Sequence, residues 1–269
     1  MAFFRVIFRT CDRTQSVHSV PRPFGLDKQK LLKLSFLSLI ESLKGQSHAI
    51  TVVGDALSDE SLSFFKRFPV SIQNHPPLGN DLSIRETVRL ACETEDREWI
   101  YFCEDDYLHV PDCFSAVNEL LENRNEILDT RPSSAFLRFF LSGSPAKRDL
   151  TVFLPDYPDR YFPKERKSSF LFRTRARHFR QVTNTTFSFI TEAATVKKNL
   201  PVFLKASRGA NDGYLSKCLF SPNLFLDFFS RNRGLCLSPI PGLSTHTHEG
   251  TMTPLVDWEG LIKTLETKI

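Results

Sequence analysis

The sequence predicts an α/β fold in which a mostly parallel central sheet is flanked by helices. Two observations carry this prediction. Through the first half of the chain, short apolar runs alternate with longer segments at helical spacing, in the order strand, helix, strand, helix, strand, helix, strand. The fourth apolar run, Trp99-Ile100-Tyr101-Phe102-Cys103, is aromatic, uncharged and unbroken, as expected of a strand buried on both faces. It stops at three consecutive carboxylates, Glu104-Asp105-Asp106. In open α/β sheets ligands bind outside the carboxyl ends of the strands, so the triplet falls where such folds keep their chemistry.

Phe3 to Arg9 reads as the first strand and ends in the polar loop Thr10-Cys11-Asp12-Arg13. Thr10, Asp12 and Arg13 could hold a nucleotide base or diphosphate there. A turn with a helix N-cap explains Thr10 and Asp12 equally well. Val20 to Gly25, with two prolines, reads as an extended loop. Leu31 to Leu43 carries apolar residues at helical spacing, with lysines before it and Gly45 after it.

Ala49 to Val53 is the second strand. Asp55 would project from its end after Gly54, to accept from a ribose or base edge or to cap a helix over Ser58 to Phe68. Val70 to Gln73 is a third strand, followed by His75-Pro76-Pro77, which cannot be helical. An amphipathic helix then runs through Thr87, Val88, Leu90 and Ala91. Asn80, Asp81 or Ser83 would cap it, and with Arg85 its start is an anion site.

Beyond the triplet, Pro111 opens a helix through Phe114, Val117, Leu120 and Leu121. Ala135 to Leu141 reads as a strand and Ser142 to Lys167 as an irregular excursion. Ser169 to Arg175 and Thr185 to Ile190 read as two further strands, neighbours in the sheet. A Gly-rich turn, Arg208 to Gly213, enters a helix through Leu215, Cys218 and Leu219. This places Asp212 at the helix N-terminus, where an N-cap role would suffice. Late in the chain His246 and His248, two apart, project to one side of an extended segment.

Composition narrows the function classes. The chain has 269 residues, enough for one large or two small domains, with 41% hydrophobic and 25% charged residues. A net charge of +4 does not by itself point to nucleic acid. The 25 Phe residues are expected mainly in the core. The six Cys residues lack zinc-knuckle or redox spacing and read as buried thiols in a reducing compartment. Met1 to Thr10 is too short and too charged for a signal peptide, and no apolar run reaches membrane-spanning length. A cytoplasmic location is the expectation.

Three acids after a buried strand repel one another and lose hydration, which a hard divalent metal would relieve. Taken alone, the triplet would be better read as a solvated acidic turn that ends the strand. With Asp212 and the late His pair, the set resembles the GT-A glycosyltransferases.

That resemblance implies a Rossmann-like, GT-A-type central sheet with a smaller antiparallel sheet on the acceptor side, in one domain of two halves. Residues 1–110 would bind the nucleotide and residues 111–269 the acceptor. It implies that Asp106, with His246 or His248, holds Mn2+ or Mg2+ against the diphosphate of a nucleotide-sugar. Asp212 would be the general base of an inverting transfer to a carbohydrate or other acceptor hydroxyl. Thr10, Asp12, Arg13, Asp55, Asn80, Arg85, Glu104 and Asp105 would contact the donor. Asn211 stands where many members carry a further acid.

Two rival readings use the same residues. One is a metal-dependent nucleotidyltransferase or phosphohydrolase, although no Walker-type loop is present. The other is a non-catalytic nucleic-acid-binding module. It would use the basic tract Lys164 to Arg180 with Phe170, Phe172 and Phe179 as stacking platforms, against the alternative that these rings are core.

Overall fold

A computed structural model describes residues 1–13, 22–128, 148–162, 169–220 and 234–269. The expected strand Ala135 to Leu141 lies outside the described residues. The strands are β1 (Phe3–Thr10), β2 (Ser47–Asp55), β3 (Ser71–His75), β4 (Trp99–Glu104), β5 (Tyr107–His109), β6 (Leu150–Val152), β7 (Leu171–Arg173), β8 (His178–Val182), β9 (Phe189–Glu192), β10 (Leu235–Ile240) and β11 (Ser244–His246). The described helices are α1 (Lys28–Ser42), α2 (Asp59–Phe65), α3 (Gly79–Glu93), α4 (Cys113–Glu122), α5 (Arg124–Leu128), α6 (Ala193–Lys198), α7 (Leu200–Ala206), α8 (Asp212–Leu219) and α9 (Trp258–Glu266).

One sheet takes nine strands in the order β3-β2-β1-β4-β9-β6-β10-β8-β7. The first four strands in that order are mutually parallel. β9 runs against both β4 and β6, β10 runs with β6, and β8 opposes both β10 and β7. All but β8 and β9 therefore point the same way, so the sheet is mostly parallel, as predicted. The smaller antiparallel sheet is the pair β5 and β11.

Strand alternation sorts side chains onto two helical layers. Phe4, Val6 and Phe8 of β1 face α1, α2, α4 and α9, while Ile7 faces α3, α6, α7 and α8. The Phe excess is spread over both layers; in the first, Phe36 of α1 meets Phe8 and Phe65 edge-on at 5.2 and 4.9 Å between ring centres. Arg9 shares the face of Ile7. On β4 the same rule puts Glu104 on the face of Ile100 and Phe102, beside Arg9.

Several expectations need correction. Ser142 to Lys167 contains β6, whose three residues are wholly buried between β9 and β10. Thr185 to Ile190 is irregular until Phe189, where β9 begins, and β9 is not a neighbour of β7. In that stretch Phe187 and Phe189 are buried, while Thr186 Oγ1 lies 2.9 Å from Tyr107 Oη and Ser188 Oγ donates to Glu104. Asn80, Asp81 and Ser83 do not cap α3. Its N-cap is Leu78, and Asp55 reaches across to accept from Leu78 N and Gly79 N at 2.6 and 2.9 Å. Phe172 and Phe179 are 3% and 0% exposed, so two of the three rings of the basic tract are core and cannot stack on bases.

Candidate active site

The chain leaves the main sheet at Glu104, turns through Asp105 and Asp106, and continues as β5 of the smaller sheet. Each acid of the triplet is given a different partner by a different element. Glu104 stands opposite Arg9 in the β1–β4 register and is ion-paired to it. Its other carboxylate oxygen accepts from Ser188 Oγ at 3.1 Å, and that hydroxyl oxygen in turn accepts from Glu104 N at 3.1 Å. Arg9 also donates to Asn80 Oδ1 at 2.9 Å and Ser83 Oγ at 3.1 Å, tying the site to the start of α3.

Asp105 is buried. It accepts from Thr10 Oγ1 at 2.7 Å, Cys11 N at 3.0 Å and Lys28 Nζ at 2.5 Å. Lys28 is brought there because Asp27 caps α1 and makes Lys28 its first residue. Asp106 meets β11. Thr247 N donates to its backbone carbonyl at 2.8 Å, and its Oδ2 lies 3.0 Å from His246 Nε2. The His246 ring is stacked between Tyr107 at 5.1 Å and His248 at 5.6 Å.

Asp212 completes the group. Asn211, not Asp212, is the N-cap of α8: its side chain accepts from Tyr214 N at 2.8 Å. Asp212 is thus released from capping, and its Oδ1 is buried without a hydrogen-bond partner among the described residues. Burial, then the charge of Glu104, pushes its carboxyl up to about 7, against the opposing pull of Arg9 and His246. Asp106 behaves oppositely. Burial would raise it, but His246, Lys28 and Arg9 outweigh that and hold it well below the usual carboxylate range. His246 is raised: burial pulls it down, and Asp106, Glu104 and Asp212 more than compensate. Two carboxyls that both feel His246 and Arg9 are thus driven in opposite directions, an arrangement that acid/base sites use.

The structure therefore brings together Thr10, Glu104, Asp105, Asp106, His246, His248 and Asp212, with Asn80 joined through Arg9. The other expected donor residues lie elsewhere or are engaged locally. Asp12 accepts from Ser58 N and Oγ at 2.8 and 2.6 Å, linking the end of β1 to α2. Both Asp55 oxygens serve the start of α3. Arg85 donates to Ser207 Oγ at 3.1 Å, and Arg13 is exposed. Sequence reasoning missed Arg9, Lys28 and Ser188. Arg9 had a signal: a cation directly after the apolar heart of a strand, Val6-Ile7-Phe8, at the end that leads into the polar loop.

For a divalent ion, Asp106 Oδ1 is buried with no partner among the described residues, and the donor set of carboxylate and imidazole suits Mn2+ or Mg2+. Among the described residues no three His, Cys, Asp or Glu side chains gather around one point. The residues fit an ion held by one or two protein ligands and completed by substrate oxygens, not an all-protein cage.

No family model matches the chain, and no curated protein matches it. Among solved structures, S. aureus TarS residues 1–349 is similar with 12% identity and a TM-score of 0.46, over 88% of this chain and 60% of that one. This chain thus spans less than two thirds of that structure. A CMP:2-keto-3-deoxy-manno-octonic acid synthetase is similar with 10% identity and a TM-score of 0.45, over 100% of both chains. A nucleotidyl transferase from Methanothermobacter thermautotroptrophicus is similar with 12% identity and a TM-score of 0.42, over 100% of this chain and 99% of that one. Likenesses this distant say nothing about chemistry. Among the described residues no helix is long and apolar enough to cross a membrane.

Proposed function

We propose that this chain transfers a sugar from a nucleotide-sugar to an acceptor hydroxyl, with Asp212 as general base and inversion at the anomeric carbon. The observation that carries the reading is Asp212: a carboxyl raised to about 7, with a bare buried oxygen, beside Glu104 and His246 at the carboxyl edge of the sheet. A base poised near the working pH is what an acceptor hydroxyl needs.

In this reading Asp212 takes the hydroxyl proton as the acceptor oxygen bonds to the anomeric carbon and the nucleoside diphosphate departs. Arg9 and Lys28 offset the charges of Glu104 and Asp105, which reduces the repulsion the phosphates would meet, and Arg9 fixes the start of α3. Asp106 and His246 would hold the Mn2+ or Mg2+ ion. Bound there, that ion supplies Lewis-acid stabilisation of negative charge on the leaving group. Residues 1–110 serve the donor and residues 111–269 the acceptor.

A thermal-shift panel of nucleoside diphosphates with and without manganese tests the reading. Stabilisation by a nucleotide only when manganese is present supports it; indifference to every nucleotide ends it. The two cations paired with the triplet, Arg9 and Lys28, also suit nucleotidyl transfer. Product analysis separates the reactions: a glycosylated acceptor plus nucleoside diphosphate marks sugar transfer, and pyrophosphate release marks nucleotidyl transfer.

A further inference from the structure

A second charged cluster lies on the same edge of the sheet. β6 and β10 run parallel, and both end towards the triplet, because β9 links β4 to β6 by two antiparallel pairings. The segment after β6 carries Asp156, Tyr157 and Arg160, and Arg180 comes from β8 opposite Ser238 of β10. Asp156 is 0% exposed and is paired with Arg180; Arg160 Nη1 lies 4.0 Å from the same carboxylate oxygen. The other oxygen of Asp156 accepts from Tyr161 Oη. Arg160 Nη1 is further engaged by Ser238 Oγ at 2.6 Å and Pro155 O at 3.2 Å.

Two guanidinium groups thus share one buried carboxylate, and the charge of Asp159 also acts on Arg160. Both Asp156 oxygens are already used. Arg160 Nε and Nη2 and Arg180 Nε are buried donors with no acceptor among the described residues. Buried donors without partners are costly and rare, and each calls for an explanation. An anion with at least two oxygens would satisfy these donors.

The cluster is connected to the reacting centre. Arg160 lies over the Tyr157 ring at 5.7 Å, Tyr157 Oη is 3.1 Å from Tyr107 Oη, and Tyr107 stacks on His246. Access exists at Arg180, whose side chain keeps 13% exposure under the exposed ring of Tyr161 at 4.5 Å.

From this placement we infer that Arg160 and Arg180 form an anion subsite on the acceptor side, so that the acceptor carries a phosphate or carboxylate group near the hydroxyl that reacts. The term "acceptor" rests on the sugar-transfer reading; the anion site itself does not.

Calorimetric titration of the full chain with inorganic phosphate, and separately with acetate, tests the site. Saturable binding of one anion is expected, and which one binds names the group. Arg160→Lys and Arg180→Lys keep a cation beside Asp156 but lose the planar fork; each should weaken binding about tenfold, roughly 1.4 kcal/mol, while the thermal melt shows a folded chain. Asp106→Asn should bind the anion as the parent does. Binding of neither anion, equal binding by whichever lysine variant folds, or loss of binding in Asp106→Asn overturns the proposal. The nucleotide thermal-shift panel is run alongside. Its failure would remove the transfer reading and leave the anion-binding result standing by itself.

Discussion

Arg9 and Glu104 stand on the same rung of two neighbouring parallel strands, on the same face of the sheet, and their ion pair closes the sheet edge. Through Asn80 and Ser83 the same guanidinium ties down the start of α3, and its charge also acts on Asp106 and Asp212. One side chain therefore couples three elements and two carboxyls of opposite behaviour.

Replacing Arg9 by Met should leave Glu104 without its ionic partner and Asp212 with only His246 as a compensating cation. The partly exposed pair should lose about 1–3 kcal/mol of stability, measured by urea unfolding. In turnover assays, the acid limb of the pH profile should move to higher pH, because Asp212 then holds its proton more tightly. An unmoved limb would mean that Arg9 does not tune this carboxyl.

Asp212→Asn should abolish transfer while nucleotide binding persists. Its stability effect has a definite sign. The folded carboxyl is raised from 3.8 to about 7, so its favourable contribution is complete below the lower value and is lost as pH rises through the upper one. The Asn variant should match the parent in acid and exceed it above neutrality, by at most about 4 kcal/mol before allowance for solvent screening. Melting curves across that range check the divergence.

His246 is held protonated to a higher pH than a free imidazole, chiefly by Asp106 against the effect of burial. The stabilisation from this pair is present in full below the ordinary imidazole value and fades as pH rises through the higher folded one. His246→Gln should flatten the pH dependence of the melting temperature in that window. A divalent ion competes with the same proton, so manganese affinity should rise with pH in the parent. A manganese affinity indifferent to pH would argue against His246 as a ligand.

Gly242→Ala probes the packing against the segment that carries Asp156. A Cβ at this position would lie 2.7 Å from Asp156 N and 2.5 Å from Thr253 Cγ2. Backbone is part of the obstruction, so the loop carrying Asp156 must shift. The expected loss is about 1–3 kcal/mol, read from the melting temperature, with weaker anion binding at Arg160 and Arg180.

Much of the architecture was legible because it is written in local periodicity. The alternating strands and helices up to Glu104 have the expected types and nearly the expected bounds. Beyond residue 141 the reading failed for β6, β8 and β10, which it did not identify as strands, and for the partners of β9. Strands of three or four residues carry too few side chains to show a period, and what holds them is pairing to distant strands.

The acids, the late histidines and Asp212 as a site group were visible from the sequence because consecutive charges after an apolar run are a local anomaly. What neutralises them was not. A metal was the simplest partner for three adjacent carboxylates on sequence grounds, yet Arg9, Lys28 and His246 each take one. The sequence determined which groups are chemically unusual. Only the tertiary structure decided how they are paired, because parallel register, helix capping and the β5–β11 pairing bring together residues that have no sequence proximity. The same holds for Asp212: the sequence placed it at a helix start, and the fold gave the capping role to Asn211 and left Asp212 with a bare, desolvated oxygen.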